Sequence, residues 1–213
     1  MRKSFVVGSG IGLMLILISC TVFAAEVFTI LAENVDDVIA DITSGEGTPT
    51  KTADANTGSE ALSIGATGGD GQNFNDAMPD WTFDIIENPS GDNEFRYISF
   101  AWKKDGGEGL QLQLHGNPDT WGHRYHAGQN VKNWNPSIQV NTATPTTWTE
   151  ETHDLFTDWG EFTLTGIAFS AWDGNVGLWD DVFLHKGPEL LPTTAVEPAD
   201  KLTTTWAELK TSR

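Results

Sequence analysis

Cysteine is nearly missing from this sequence, since Cys20 is the only one in 213 residues. A single cysteine cannot form an internal disulfide, so an apolar core, with a bound metal as a further option, must hold the fold together. Basic residues are also few: 12 Lys and Arg stand against 30 Asp and Glu, which gives a formal net charge of −18. Such a surface repels phosphate, so nucleic acid is not expected as a partner.

Motifs of common catalytic centres are missing as well. The sequence has no G-x-S-x-G elbow, no H-E-x-x-H pair and no phosphate-binding glycine loop. His123 and His126 invite a metal interpretation, but residues three apart on a strand point to opposite faces. Any two of the 30 acids could form a glycosidase pair, yet no motif selects one.

Only one long apolar run is present, and it lies at the N-terminus. Two basic residues precede the run 5–18, and no acidic residue occurs before position 26. This pattern predicts a secretory signal peptide over residues 1–25. Two cleavage sites stay open: after Ala24, or before Cys20, which would then carry a lipid and be the only link to a membrane. Either site predicts an extracytoplasmic protein that is secreted, periplasmic or lipid-anchored in a bacterial envelope.

Long helical periodicity is missing before residue 198, and short apolar or alternating runs recur between Gly, Pro, Asn and Asp. This pattern predicts an all-β fold, a two-sheet antiparallel jelly-roll sandwich over residues 26–187. The segment 43–59 is predicted to be a loop. The predicted strands are 27–32, 36–42, 60–66, 81–86, 94–103, 109–115, 124–127, 137–141, 148–154, 162–170 and 176–185.

The composition changes after the predicted domain. Residues 188–213 begin as a proline-rich linker and end in a short amphipathic segment, 201–213. Leu202, Trp206 and Leu209 fall on one helical face. A helix this short is marginal alone, so the tail either packs loosely on the domain or docks a protein partner.

The stretch "LQLQLH" alternates leucine with side chains that form hydrogen bonds. Successive strand residues face opposite sides of a sheet, so the leucines are predicted to enter the core while Gln111, Gln113 and His115 face outward. If this strand forms a hairpin with strand 94–103, Tyr97 shares that outward face. Aromatic rings stack on pyranose rings, and amide or imidazole groups pair with hydroxyls, so this face is typical of a sugar-binding surface.

Loop residues near this face extend the predicted site. Trp121 and Arg124 follow His115 in a turn-rich segment, and Trp172 lies in the turn "SAWDGN". An ordinary solvated sheet face is the alternative interpretation of the same pattern. The predicted ligand-binding residues are Tyr97, Gln111, Gln113, His115, Trp121, Arg124 and Trp172.

The last predicted strand, "GLWDDVFLH", has apolar residues on both faces. Whichever face is buried, Asp180 or Asp181 lies in line with it, and a buried carboxylate is costly unless it is paired or bound to a metal. Asp41 and Glu46 flank an early turn and could add oxygen ligands if the first and last strands meet. These four acids are the predicted ligands of a structural Ca²⁺. The alternative is a carboxylate that accepts backbone hydrogen bonds at a strand edge.

The stretch "GEFTLTGIAFSAWDGNVGLWDDVFL", residues 160–184, resembles the end of galactose-binding-like jelly-roll domains, the fold of many non-catalytic carbohydrate-binding modules. "FRYISFAWK" and "LQLQLHG" are similar too, and the resemblance covers about residues 34–186. It implies a structural calcium site through Asp180 or Asp181. It also implies sugar binding by aromatic residues on a concave sheet face, although some members bind no sugar.

Three functions follow from these features. The first is an extracytoplasmic, non-catalytic carbohydrate-binding module for a neutral or weakly charged glycan. The second is a structural or protein-interaction domain of the cell envelope. The third and least favoured is a glycan-cleaving enzyme.

Overall fold

The computed structural model describes residues 27–66 and 70–188. The signal peptide, lipidation of Cys20 and the tail 201–213 lie outside these residues and stay predictions. In the part of the chain described here, no helix is long and apolar enough to cross a membrane. The elements are β1 (Val27–Leu31), α1 (Val35–Asp41), β2 (Ser44–Gly45), β3 (Gly47–Thr52), β4 (Ala61–Ala66), β5 (Gln72–Asn75), β6 (Phe83–Ile85), β7 (Glu94–Phe95), β8 (Tyr97–Lys104), β9 (Gly109–Asn117), β10 (Thr120–Gly128), β11 (Ile138–Asn141), β12 (Thr149–Asp154), α2 (Leu155–Trp159), β13 (Phe162–Ser170) and β14 (Gly177–His185).

The strands form two sheets with a shared core. The first sheet has the order β12-β8-β14-β4-β3, with β1 beside β14. The second has the order β11-β10-β9-β13-β5-β2, with β6 beside β13 and β7 beside β6. Pairing is antiparallel except between β10 and β11 and between β6 and β7. The predicted two-sheet antiparallel sandwich is therefore confirmed, with two short parallel pairings added.

Leucines of β9 fill the core from the second sheet. Leu110, Leu112 and Leu114 are fully buried, as their alternation predicts. From the first sheet come Trp102 and Trp179, which lie opposite each other in the β8–β14 register and are also fully buried. Each of these side chains stabilises the fold by roughly 1.5–3 kcal/mol through burial alone, which is how the domain folds without a disulfide.

Two local predictions are wrong. The predicted strand 36–42 is instead α1, because Val35, Val38 and Ile42 recur at helical spacing and all three are buried. The segment 43–59, predicted to be a loop, contains β2 and β3, and β3 is the edge strand of the first sheet. An edge strand needs few apolar side chains, so its sequence gives little signal.

The predicted hairpin between β8 and β9 is also wrong. β8 lies between β12 and β14, whereas β9 lies between β10 and β13. The glycine-rich loop 105–108 therefore crosses from one sheet to the other instead of turning back on itself. As a consequence, Tyr97 and Gln111 lie on different sheets and share no face.

Candidate functional site

The outer face of the second sheet carries a row of hydrogen-bonding side chains. The register places Gln113 of β9 beside Arg124 of β10 and Ala168 of β13, and Gln72 of β5 beside Ser170 of β13. Gln113 Nε2 donates to Gln72 Oε1 and to Ser170 Oγ, both at 2.8 Å. Arg124 Nε donates to Gln113 Oε1 at 2.8 Å. The row thus links side chains from four adjacent strands.

The two glutamine amides that the sequence predicted to be exposed are both buried. Gln111 has 0% and Gln113 has 3% of its surface exposed. Both point away from the leucine core, as predicted, but their predicted exposure is wrong because neighbouring side chains and a loop cover them. Neither can serve as an open sugar platform. Gln113 instead fixes the orientation of the Arg124 guanidinium.

Residues 129–137, the covering segment, lie over one end of this face. Ser137 Oγ lies 3.4 Å from Gln111 Nε2. Trp134 meets Trp172 edge-on, with ring centroids 6.2 Å apart. Trp172 is 3% exposed, so its predicted position at the rim of an open site is wrong: it is a loop tryptophan buried against the covering segment.

The other end of the face opens into a cleft. β11 pairs only with residues 125–127 of β10, so the edge of residues 120–124 has no neighbouring strand in that pairing. A cavity of about 480 Å³ lies at this edge. Its lining is Asp119, Thr120, Trp121, Gly122, His123, Arg124, Asn135, Pro136 and Trp159. The predicted site residues Trp121 and Arg124 come together here.

Trp121 forms one wall of the cleft. Its indole ring meets the rings of His115 and Phe74 edge-on, with centroid distances of 4.9 and 5.4 Å. His115 is fixed in turn, because its Nδ1 lies 2.7 Å from Thr165 Oγ1. His115 therefore lies next to the cleft and supports Trp121.

Trp159 contributes a second indole ring from α2. Its Nε1 donates to the hydroxyl of Tyr125 at 3.2 Å, and that hydroxyl donates to Asp158 Oδ2 at 2.8 Å. Burial, followed by the charge of Asp158, raises the pKa of Tyr125, so the phenol stays protonated and can donate. α2 is capped at its start by Asp154, whose Oδ1 accepts the N–H of Thr157 at 3.1 Å.

Arg124 supplies the positive charge of the cleft. Its side chain is half-buried, and burial lowers the pKa of the guanidinium. The reference pKa of arginine is so high that the group still carries its charge at neutral pH. A second hydrogen bond, from Nη1 to the carbonyl of Pro136 at 3.3 Å, ties it to the covering segment.

Tyr97 does not belong to this site. It starts β8 in the first sheet, and the Arg96 guanidinium lies over its ring at 5.3 Å. Arg96 also binds Asp154 at 2.6 Å. Tyr97 therefore packs beside a structural ion pair, and its predicted place beside the glutamines is wrong because β8 and β9 lie in different sheets.

Asp180 and Asp181 bind a loop of the first sheet. Asp180 is 1% exposed, and its Oδ2 accepts the backbone N–H groups of Asn56 and Thr57 at 2.8 and 3.2 Å. Asp181 accepts Asn56 Nδ2 at 2.9 Å and Thr57 Oγ1 at 2.7 Å. A positive φ of 50° at Asp181, within a bulge of β14, turns both carboxylates toward this loop. Burial and the adjacent Asp181 raise the pKa of Asp180 to about 6.

Asp41 and Glu46 do not join these aspartates. Within residues 27–66 and 70–188, no three His, Cys, Asp or Glu side chains group as metal ligands. The carbonyl of Asp41 accepts Asn75 Nδ2 at 2.9 Å, and Glu46 is exposed. The four acids therefore do not fit one shared calcium site. Asp180 and Asp181 instead match the alternative prediction, in which the carboxylates accept hydrogen bonds from backbone and side-chain donors.

Thermal melting decides between the structural Ca²⁺ predicted from the sequence and carboxylates that only accept hydrogen bonds from a loop. Because N–H and O–H donors already occupy the carboxylates of Asp180 and Asp181, we expect EDTA to leave the melting midpoint unchanged. A bound structural ion would stabilise the folded state and make the midpoint depend on calcium concentration. A fall of several degrees in EDTA that added Ca²⁺ reverses, but Mg²⁺ does not, would contradict our expectation.

Sequence reasoning missed several residues that line the cleft: Asp119, Asn135, Pro136 and Trp159. The first three lie in turns whose path depends on the rest of the fold. Trp159 was detectable, because it precedes Gly160, which ends α2 with a positive φ of 78°. A glycine directly after the last apolar residue at helical spacing is a signal for a helix end.

No family model matches this sequence, and no curated protein matches it. The chain is similar to several solved structures. A variant of CBM29-2, a family 29 carbohydrate binding module, is 12% identical with a TM-score of 0.45 and covers 80% of this chain and 100% of its own. A family 30 carbohydrate binding module is 16% identical with a TM-score of 0.40 and covers 72% and 84%.

An enzyme domain is similar as well. The glycoside hydrolase domain of Endo-D from Streptococcus pneumoniae is 14% identical with a TM-score of 0.43, and the match covers 69% of this chain and 21% of that one. The solved structures that this chain is similar to thus include carbohydrate-binding modules and a glycoside hydrolase domain.

Proposed function

We propose that the protein binds a neutral or weakly charged glycan in the cleft beside β10, without cleaving it. The observation that carries this proposal is the pairing of two indole rings, Trp121 and Trp159, with the planar hydrogen-bonding groups of Arg124 and Asn135 around one cavity. Aromatic rings bury the apolar faces of a pyranose, and planar polar groups pair with its hydroxyls. The cavity of about 480 Å³ lies within the range of small-ligand sites.

The walls of the cleft are held in place before any ligand arrives. Trp121 packs on two rings, Trp159 is fixed through Tyr125, and Arg124 is oriented by Gln113. Preformed walls lower the ordering cost of binding, which favours a recognition role for the cleft.

The same lining argues against glycoside hydrolysis at this site. Glycosidases of the common types need two carboxyl groups that flank the bond, about 5–10 Å apart. Asp119 is the only carboxylate among the described residues that line the cleft. A single carboxylate can accept a hydroxyl hydrogen bond but cannot share the acid and nucleophile roles, so binding without turnover suits the cleft better.

A location outside the cytoplasm, secreted or lipid-anchored, is part of this proposal and depends on the N-terminal residues. An extracellular glycan is the natural ligand class for a protein in that place.

Affinity electrophoresis tests the proposed function. The protein is run through gels that contain neutral or weakly charged polysaccharides, such as glucans, mannans and galactans, with bovine serum albumin as the unretarded reference. We expect retardation by at least one polymer and no release of reducing ends on prolonged incubation. Equal mobility in every gel would contradict glycan binding, and release of reducing ends would contradict binding without cleavage.

A further inference from the structure

Arg124 is unusual among the cations of this protein. The ammonium or guanidinium groups of Lys51, Arg96, Lys103 and Lys104 each lie 2.5–2.6 Å from a carboxylate oxygen. The described residues offer Arg124 no carboxylate within 4.0 Å, and its side chain donates to the amide oxygen of Gln113 and the carbonyl of Pro136. In a chain with 30 acidic and 12 basic residues, a guanidinium without a carboxylate partner is unexpected.

Burial makes this lack of a partner costly. Arg124 is half-buried, and burial is the cause that lowers the pKa of its guanidinium. Removing a charge from water is unfavourable unless an opposite charge or several hydrogen bonds offset it. The contacts with Gln113 and Pro136 use two of the five N–H groups that a guanidinium carries. The remaining donors belong to a side chain that lines the cleft.

We propose that the glycan carries one anionic group, a carboxylate or a sulfate, which the unpaired guanidinium of Arg124 binds beside the stacked sugar ring. This inference rests on the proposed function. A guanidinium matches the paired oxygens of either anion, and charged hydrogen bonds of this kind are stronger than neutral ones.

The overall charge limits the ligand to few such groups. The net charge of −18 repels a polyanion such as a polyuronate, and Asp119 adds a negative charge to the lining of the cleft. A single anionic group avoids most of this repulsion. Its direct contact with Arg124 is short-range, whereas salt screens the repulsion from the rest of the protein beyond about 8–10 Å. The ligand class is therefore an oligosaccharide whose sugars are all neutral except one, which carries the carboxylate or sulfate.

Calorimetry with matched trisaccharides tests the inference. The probes are the β-1,4-linked trisaccharides of glucose, galactose and mannose, each as the neutral form, with the terminal sugar oxidised to a uronate, and with a 6-O-sulfate. In at least one series we expect the uronate or the sulfate to bind about 10- to 100-fold more tightly than the neutral parent. The preferred anion identifies the group.

Two variants assign the effect to Arg124. Arg124→Gln should remove the preference, so that the uronate or sulfate probe binds no more tightly than the neutral parent. Lys51→Gln is the control, because it removes one positive charge from the exposed pair with Asp36 on the first sheet. This variant should still bind the charged probe more tightly than the neutral one. Equal or tighter binding of the neutral form, or a preference that survives Arg124→Gln, would overturn this inference alone. Binding of no probe by the wild-type protein would count against the proposed function itself.

Discussion

Replacing Lys104 with methionine is expected to lower the free energy of unfolding by about 3–5 kcal/mol. Lys104 ends β8 and has 0% of its surface exposed. Its Nζ donates to the carbonyls of Gly109, at 2.8 Å, and Ala171, and to Asp173 Oδ1 at 2.5 Å. Methionine keeps the length of the side chain but leaves two carbonyls and one carboxylate without this donor.

Asp173 explains why the loss should be large. Burial raises the pKa of this carboxyl, but the hydrogen bond from Lys104 and those from backbone N–H groups lower it more, so the folded protein holds it ionised. The same carboxylate accepts the N–H groups of Glu108 and Gly109. One ion pair, with a fully buried lysine, therefore joins the crossing loop between the sheets to the loop after β13, and we expect its loss to loosen both.

Chemical denaturation and thermal melting measure this effect, and Lys103 provides the control. Lys103→Met removes the neighbouring lysine, which is partly exposed and binds Asp54 at 2.5 Å. Exposed pairs contribute about 0–1 kcal/mol, so the midpoint of this variant should hardly move, whereas that of Lys104→Met should fall by roughly 10 °C. An equal fall in the midpoint for the two variants would show that Lys104 does not link the two loops.

The predictable part of this molecule is the part that a strand encodes locally. Alternation in β9 is enough to bury Leu110, Leu112 and Leu114 and to turn Gln111 and Gln113 to the other face, because side-chain direction depends only on the strand itself. Exposure of that other face is a different property. It depends on which strands become neighbours and on whether a loop covers them. The alternation of leucine and glutamine predicts neither.

The candidate site shows the same division. Trp121 and Arg124 were predictable because turn-rich sequence placed a ring and a cation near the outward face of β9. Trp172 looked equivalent in sequence but is buried, and its ring packs against Trp134 of the covering segment. Tyr97 required knowledge of the sheet order, since β8 pairs with β12 and β14 and not with β9. Strand pairing and loop packing, and not residue type, separate the correct site predictions from the wrong ones.

Replacing Trp121 with alanine is expected to weaken glycan binding about 30-fold, or about 2 kcal/mol. Trp121 is half-buried and forms a wall of the cleft on a base of His115 and Phe74. A tryptophan held in this way offers a ring at little entropic cost, and such residues carry most of the energy of a recognition site. Titration calorimetry with the glycan that retards the protein most strongly measures the loss.

Trp148 gives the matched control, because it is also half-buried but flanks the first sheet, where its Nε1 donates to Asp54 at 3.1 Å. Trp148→Ala should bind the glycan as the wild-type protein does. Trp121→Phe should recover most of the affinity, since a smaller ring can still stack, while the melting midpoints of all three variants report that each is folded. Wild-type affinity in a folded Trp121→Ala protein, or an equal loss in Trp148→Ala, would mean that the sugar binds elsewhere, because only the first of these rings faces the cleft.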